Sequence, residues 1–210
     1  MEKKLFKEVF PGLKLDKTID DLIGQTEVEN ITMFKSEKKM VISISSHNLI
    51  AKKLIYRAEE QIKQFVFGHS SEKCIIKERF ILSKQYKLKH LTDIYKDSFL
   101  EELKNISYVD FRLLDRAEWY YNENILTLAV EDTYIARSHS HIIKEYLETT
   151  YRERFGMEVS VGFNYTEEQK TKLRDANELR LKQELAAIEA NQLDVRKQNS
   201  EEGVSESDVK

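Results

Sequence analysis

Five histidines, one cysteine and 37 Asp/Glu side chains carry the chain's potential for chemistry. Their spacing argues against a catalytic centre. His139 and His141 stand two apart on a predicted helix, so they point about 200° apart and do not chelate one ion. His47 and His90 fall in turn or linker sequence, and His69 follows Gly68. None has a nucleophile and an acid at triad spacing. The carboxylate pairs Asp20-Asp21, Glu59-Glu60 and Glu101-Glu102 are neighbours on predicted helices and diverge by about 100°. Gly24, Gly68, Gly156 and Gly162 are isolated, so no glycine-rich phosphate cradle forms. Neither a Cys-x-x-Cys nor a His-Glu-x-x-His motif occurs. Cys74 lies in an apolar run and is expected to be a buried core thiol in a reducing compartment. No catalytic residue, cofactor or metal is therefore expected.

One basic constellation remains as a candidate contact site for nucleic acid or a partner. Lys35, Lys38 and Lys39 sit at a predicted hairpin turn, and Lys52, Lys53 and Arg57 lie early on the helix that follows. If the two groups converge they can meet phosphates. The whole chain opposes this, with a net charge of −3. That value hides an asymmetry. Residues 1–90 carry 18 Lys/Arg against 12 Asp/Glu, whereas residues 91–163 carry 8 against 14. Two modules with different surfaces are implied, which attract each other or present one face to a polyanion.

The elements that must position these residues follow from periodicity. A short helix is predicted over 16–23, closed by Gly24. Strands over 28–34 and 40–45 flank the polar turn 35–39 and make a hairpin. A helix capped by Ser46 or Asn48 buries Leu49, Ile50, Leu54, Ala58, Ile62 and Phe65. A strand over 74–82 completes a ββαβ module at residues 1–82. Residues 83–91 read as a basic linker.

The second module, 92–165, opens with helices over 94–106 and 108–117. A strand over 125–130 follows, with Trp119–Tyr121 as a further candidate strand. A helix capped by Asp132 or Thr133 runs to Gly156, and 157–163 alternates as a strand. A capping-box start at Thr166 opens a charged helix to Ala190. Residues 191–210 have the composition of disorder. No run is apolar enough to span a membrane, and the N-terminus lacks a signal peptide's apolar stretch, so a cytoplasmic protein is expected. The fold class is α+β, built of two small mixed modules and a tail, with no internal sequence repeat.

Certain strings resemble a known family. Phe99–Ile106, Asn124–Leu128 and Tyr151–Val159 resemble the second N-terminal domain of the PolC-type DNA polymerase III alpha subunit. Glu29–Thr32, Lys35–Met40 and the helix ending near Phe67 resemble its first N-terminal domain. The charged stretch 167–190 resembles the linker into the next polymerase domain. The resemblance implies a non-catalytic region of a replicative DNA-directed DNA polymerase whose nucleotidyltransferase core and 3′–5′ exonuclease lie elsewhere. It also implies a type II KH-like fold for the second module, of the kind associated with the clamp-loader tau subunit. KH domains hold nucleic acid with a Gly-x-x-Gly loop, which this sequence lacks. The expected function is therefore protein interaction or tethering in DNA replication. The partners would be replisome proteins, the tau subunit among them, or the downstream polymerase domains, with DNA reached through the parent protein. The alternative is electrostatic binding of single-stranded nucleic acid by the first module's lysines.

Overall fold

The computed structural model describes residues 4–68, 70–83 and 86–166, together with 179, 180 and 183. Residues 1–166 form one compact unit and 167–210 another. In the second unit Leu179, Arg180 and Gln183 are helical and exposed. The rest of the expected tail helix and the expected disordered end lie outside the described residues.

In the first unit, β1 (Lys4–Leu5) leads into the single turn α1 (Phe6–Val9), neither of which the sequence pattern announced. Helix α2 (Lys17–Ile23) ends at Gly24. The reason for glycine there is close approach rather than a left-handed backbone: a Cβ would collide with Lys7 and Asp20. Strands β2 (Glu27–Phe34) and β3 (Lys39–Ser46) form the expected hairpin. Helix α3 (Lys52–Phe67) then crosses to β4 (Lys73–Phe80), which pairs parallel to β3. The sheet order is β1-β2-β3-β4.

Neither Ser46 nor Asn48 caps α3. Its N-cap is Ala51, without a side-chain bond, and the Ser46 hydroxyl instead binds Asn48 in a local turn. Ser and Asn bind their own neighbouring backbone as readily as a helix end, so composition alone does not choose between these uses.

Helix α4 (Leu88–Ile106) starts within the segment expected to be a linker, with Leu88 and Leu91 buried. Ser107 ends α4 and caps α5 (Tyr108–Arg116), its hydroxyl accepting from the Asp110 amide. Strands β5 (Glu118–Asn122) and β6 (Ile125–Glu131) make a second hairpin, so the candidate strand at Trp119–Tyr121 is real. Thr133 caps α6 (Tyr134–Phe155), and Gly156 closes it at φ 65°, where glycine avoids the Cβ penalty. Strand β7 (Ser160–Thr166) pairs parallel to β6 and begins three residues later than expected. Thr166 thus ends a strand.

The chain is α+β, and strands β2, β3 and β4 of the first sheet repeat the topology of β5, β6 and β7 in the second. Each set consists of a hairpin, a crossover helix and a third strand parallel to the second. The likeness reaches individual devices. Each hairpin turn holds a non-glycine residue at positive φ, Lys38 at 48° and Glu123 at 51°. Each third strand is a sheet edge with an amide held by a glutamate from the crossover helix. The Ile76 amide donates to Glu59 at 2.7 Å, and the Val161 amide donates to Glu148 at 2.8 Å. An outward amide at a packed edge needs a partner, and the crossover helix is the nearest element to supply one. The sequence shows no matching repeat because the apolar positions are filled by different side chains in the two units.

The two ββαβ units share one buried core. Phe80, at the end of β4, stacks on Phe155 of α6 with ring centroids 5.5 Å apart and meets Tyr95 of α4 edge-on. Tyr95, Phe99, Tyr151 and Phe155 continue this aromatic seam. Such contacts add about 0.5–1.5 kcal/mol each beyond their area burial.

Candidate functional site

The six residues of the basic constellation do not converge. Lys35, Lys38 and Lys39 lie at the β2–β3 turn, whereas α3 begins past the far end of β3. The eight residues of β3 separate the two groups by roughly 23 Å along the strand. Lys39 pairs with Glu37 and sits 5.0 Å over the Phe34 ring. Arg57 pairs with Asp16, and Lys53 is exposed. Lys52 is only 5% exposed. Lysine in a polar helical stretch reads as a surface residue, and no local pattern reveals that this one turns inward.

Lys52 belongs to a buried network of four charges. Its ammonium lies 3.0 Å from Glu78 of β4 and 3.6 Å from Glu102 of α4. Arg154 of α6 reaches Glu78 through Nε at 3.1 Å and grips Glu102 with both terminal nitrogens, at 3.0 and 3.1 Å. The Tyr95 hydroxyl donates to Glu78, and the Tyr146 hydroxyl donates to Glu102. Burial alone would raise the Glu102 carboxyl, but Arg154 and Lys52 outweigh it and hold the group below the usual carboxylate range. Burial alone would likewise lower Arg154, yet Glu78, Tyr95 and Glu102 push it above its ordinary value. Two cations and two anions thus cancel, one of each from each ββαβ unit and the helices packed beside it.

The network forms one wall of a cleft of about 350 Å³ at the β4 edge. Ser43, Lys77 and Arg79 line it from the sheet, and Thr149, Thr150 and Glu153 line it from α6. Every acid in the network is already hydrogen-bonded to a cation or a tyrosine. The arrangement holds β4, α3, α4 and α6 together.

His139 lies 2.7 Å from the buried carboxylate of Asp110 and ties α6 to α5. Cys74 is buried, and burial with the nearby Glu59 pushes its thiol up to about 12. Glu59 is itself pushed up to about 7, chiefly by burial. Among the described residues, no group of three His, Cys, Asp or Glu side chains is placed to hold a metal ion. No described helix is long and apolar enough to cross a membrane.

A separate surface stands out by its apolar character. Ile106 and Tyr108, at the α4–α5 corner, are 68% and 63% exposed, and Val109 beside them is also exposed. Thr92 and Glu102 of α4 contact Tyr151 and Tyr146 of α6, and Asp110 of α5 contacts His139 of α6. Ile142 of α6 is exposed as well. The apolar pattern of α4 and α5 is legible in sequence, but which apolar residues stay outside is a tertiary outcome.

Comparison with curated proteins and with solved structures returned no match. Comparison with protein families did. The matched stretch runs from β1 through α3 to the first residue of β4. Residues 5–73, the greater part of the first ββαβ unit, match the model of the family described as DNA polymerase III polC-type N-terminus I.

Proposed function

We propose that this chain is a non-catalytic protein-contact region of a polC-type DNA polymerase III, with modules 1–82 and 92–165 as its halves. The match of residues 5–73 to the polC-type N-terminus I family supports the context of a replicative polymerase. The observation that carries the contact role is the exposed apolar corner of Ile106, Tyr108 and Val109. An apolar surface with aromatic content is the usual core of a protein interface. The surrounding stretch, 91–163, has 14 acidic against 8 basic residues. The complementary partner is therefore a replisome protein with an apolar ridge flanked by basic residues. The second module takes the KH-like role implied by the family resemblance, without the Gly-x-x-Gly loop, so it meets protein rather than a nucleic-acid backbone.

The test is a binding assay of the full chain against purified replisome subunits, the clamp-loader tau subunit first. Binding is expected, and Tyr108→Asp with Ile106→Asp weakens it at least tenfold, because an exposed apolar anchor is replaced by a charge. No partner at tens of micromolar, or a variant that binds like the parent chain, refutes the reading.

A further inference from the structure

The sheet β1-β2-β3-β4 has one covered face and one open face. Met40, Ile42 and Ile44 of β3 point to the covered side and are buried. Their neighbours Lys39, Val41 and Ser43 point the other way and remain partly exposed. Strand register aligns three rows across this open face: Phe34–Lys39–Lys73, Thr32–Val41–Ile75 and Asn30–Ser43–Lys77.

The rows have a definite chemistry. They contain three lysines and no carboxylate. Lys39 and Lys73 stand directly opposite each other on adjacent strands, an arrangement that repels. Glu37 offsets Lys39. The ammonium groups of Lys73 and Lys77 have no ion-pair or hydrogen-bond partner among the described residues. Between the two cationic rows lies the apolar Val41–Ile75 row, and Phe34 offers a 40% exposed aromatic ring at the edge. Lys35 and Lys38 at the turn extend the positive end beyond the first row.

A ligand that fits must be anionic at intervals and flat and apolar in between. Single-stranded nucleic acid meets both demands, with phosphates for the lysines and base faces for the ring and the apolar row. A duplex hides its base faces, and an acidic peptide offers flat faces only where it carries aromatic side chains. We infer that the open face of this sheet binds single-stranded nucleic acid through Lys39, Lys73 and Lys77, with Phe34 as a stacking position. Of the six lysines and arginines singled out by sequence, this surface keeps Lys39, with Lys35 and Lys38 at its margin. Lys73 and Lys77 join only through strand pairing. The surface lies on the first sheet, away from the α4–α5 corner, so either reading can fail while the other holds.

The experiment is fluorescence anisotropy of the full chain with a labelled 20-nucleotide oligo-dT, over a range of salt concentrations. Binding is expected, with a log–log salt slope of about −2 for three phosphate contacts. Combined Lys39→Ala, Lys73→Ala and Lys77→Ala substitution weakens binding at least tenfold and flattens the slope. Phe34→Ala weakens it about tenfold while leaving the slope in place. Lys89→Ala, at an exposed position of α4, leaves binding unchanged and serves as the control. All substituted positions lie outside the buried core, and circular dichroism checks that each variant is folded. Absence of binding, equal affinity for a duplex, equal competition by a poly-glutamate peptide, or a triple variant that binds normally overturns the inference.

Discussion

Substituting Glu78 by alanine tests the buried charge network at its most enclosed member. The Glu78 side chain is 1% exposed and accepts from Lys52, Arg154 and Tyr95. Without it, two buried cations share Glu102 alone. Removing one partner from a buried pair costs about 3–5 kcal/mol, because the remaining charge stays desolvated and uncompensated. For a unit of this size each kcal/mol lowers Tm by about 2–4 °C, so a fall of roughly 6–20 °C is expected. The assay is thermal and urea unfolding followed by far-ultraviolet circular dichroism. A second variant separates charge from packing. Replacing Lys52 and Glu78 together by Met and Leu leaves Arg154 with Glu102 and restores neutrality, so it recovers at least half of the loss. The network also joins helices and strands of both ββαβ units, so Glu78→Ala is expected to broaden the unfolding transition or lower its m-value. A Glu78→Ala protein within about 1 kcal/mol of the parent, or a double variant no better than the single one, refutes the account of a neutralised, desolvated cluster.

Glu59 gives a pH signature of opposite sign to the usual carboxylate. Its folded-state pKa is raised, so the folded protein binds more protons than the unfolded chain, and stability falls as pH rises from about 4.5 to about 7. The loss is up to about 3 kcal/mol by linkage, and Glu59→Gln removes that slope in urea titrations at several pH values. A wild-type profile that rises through this window without change in the variant contradicts the assignment. Glu102 acts the other way: its depressed pKa contributes stability above the ordinary glutamate range that is lost as pH falls below it. Glu102→Gln therefore shows a smaller loss than the parent chain between pH 4.5 and acid unfolding. Cys74, buried and with its thiol pushed up to about 12, is expected to react with a thiol reagent only on unfolding. Rapid stoichiometric labelling of the native chain at pH 8 contradicts that.

The alternation in Met40–Ser45 and the three- and four-residue spacing along α3, α4 and α6 made most elements legible, with shifts at their ends. The periodicities of 2 and 3.6 are local, because each residue's burial repeats along its own element. The misplacements have local causes too. Residues 88–91 looked like linker because lysines interrupt Leu88 and Leu91, yet those two leucines bury and carry the helix with them. Ser46 and Asn48 had two competing hydrogen-bonding uses, and the turn prevailed.

The functional surfaces were less legible. Lys39, Lys73 and Lys77 are separated by up to 38 positions and meet only because β4 pairs parallel to β3. The grouping of Lys39 with Lys52 failed for the converse reason, since a crossover helix begins at the opposite end of the strand it follows. The sequence alone determined the class of fold, the repeating polarity of each element, the charge asymmetry of the two halves and the polymerase-family strings. Tertiary structure alone decided that the two halves repeat one topology, that Lys52, Glu78, Glu102 and Arg154 neutralise one another inside, and which cations remain outside. The physical reason is range. Propensity and periodicity act within a few residues, whereas charge pairing and strand register join residues that only the completed fold brings together.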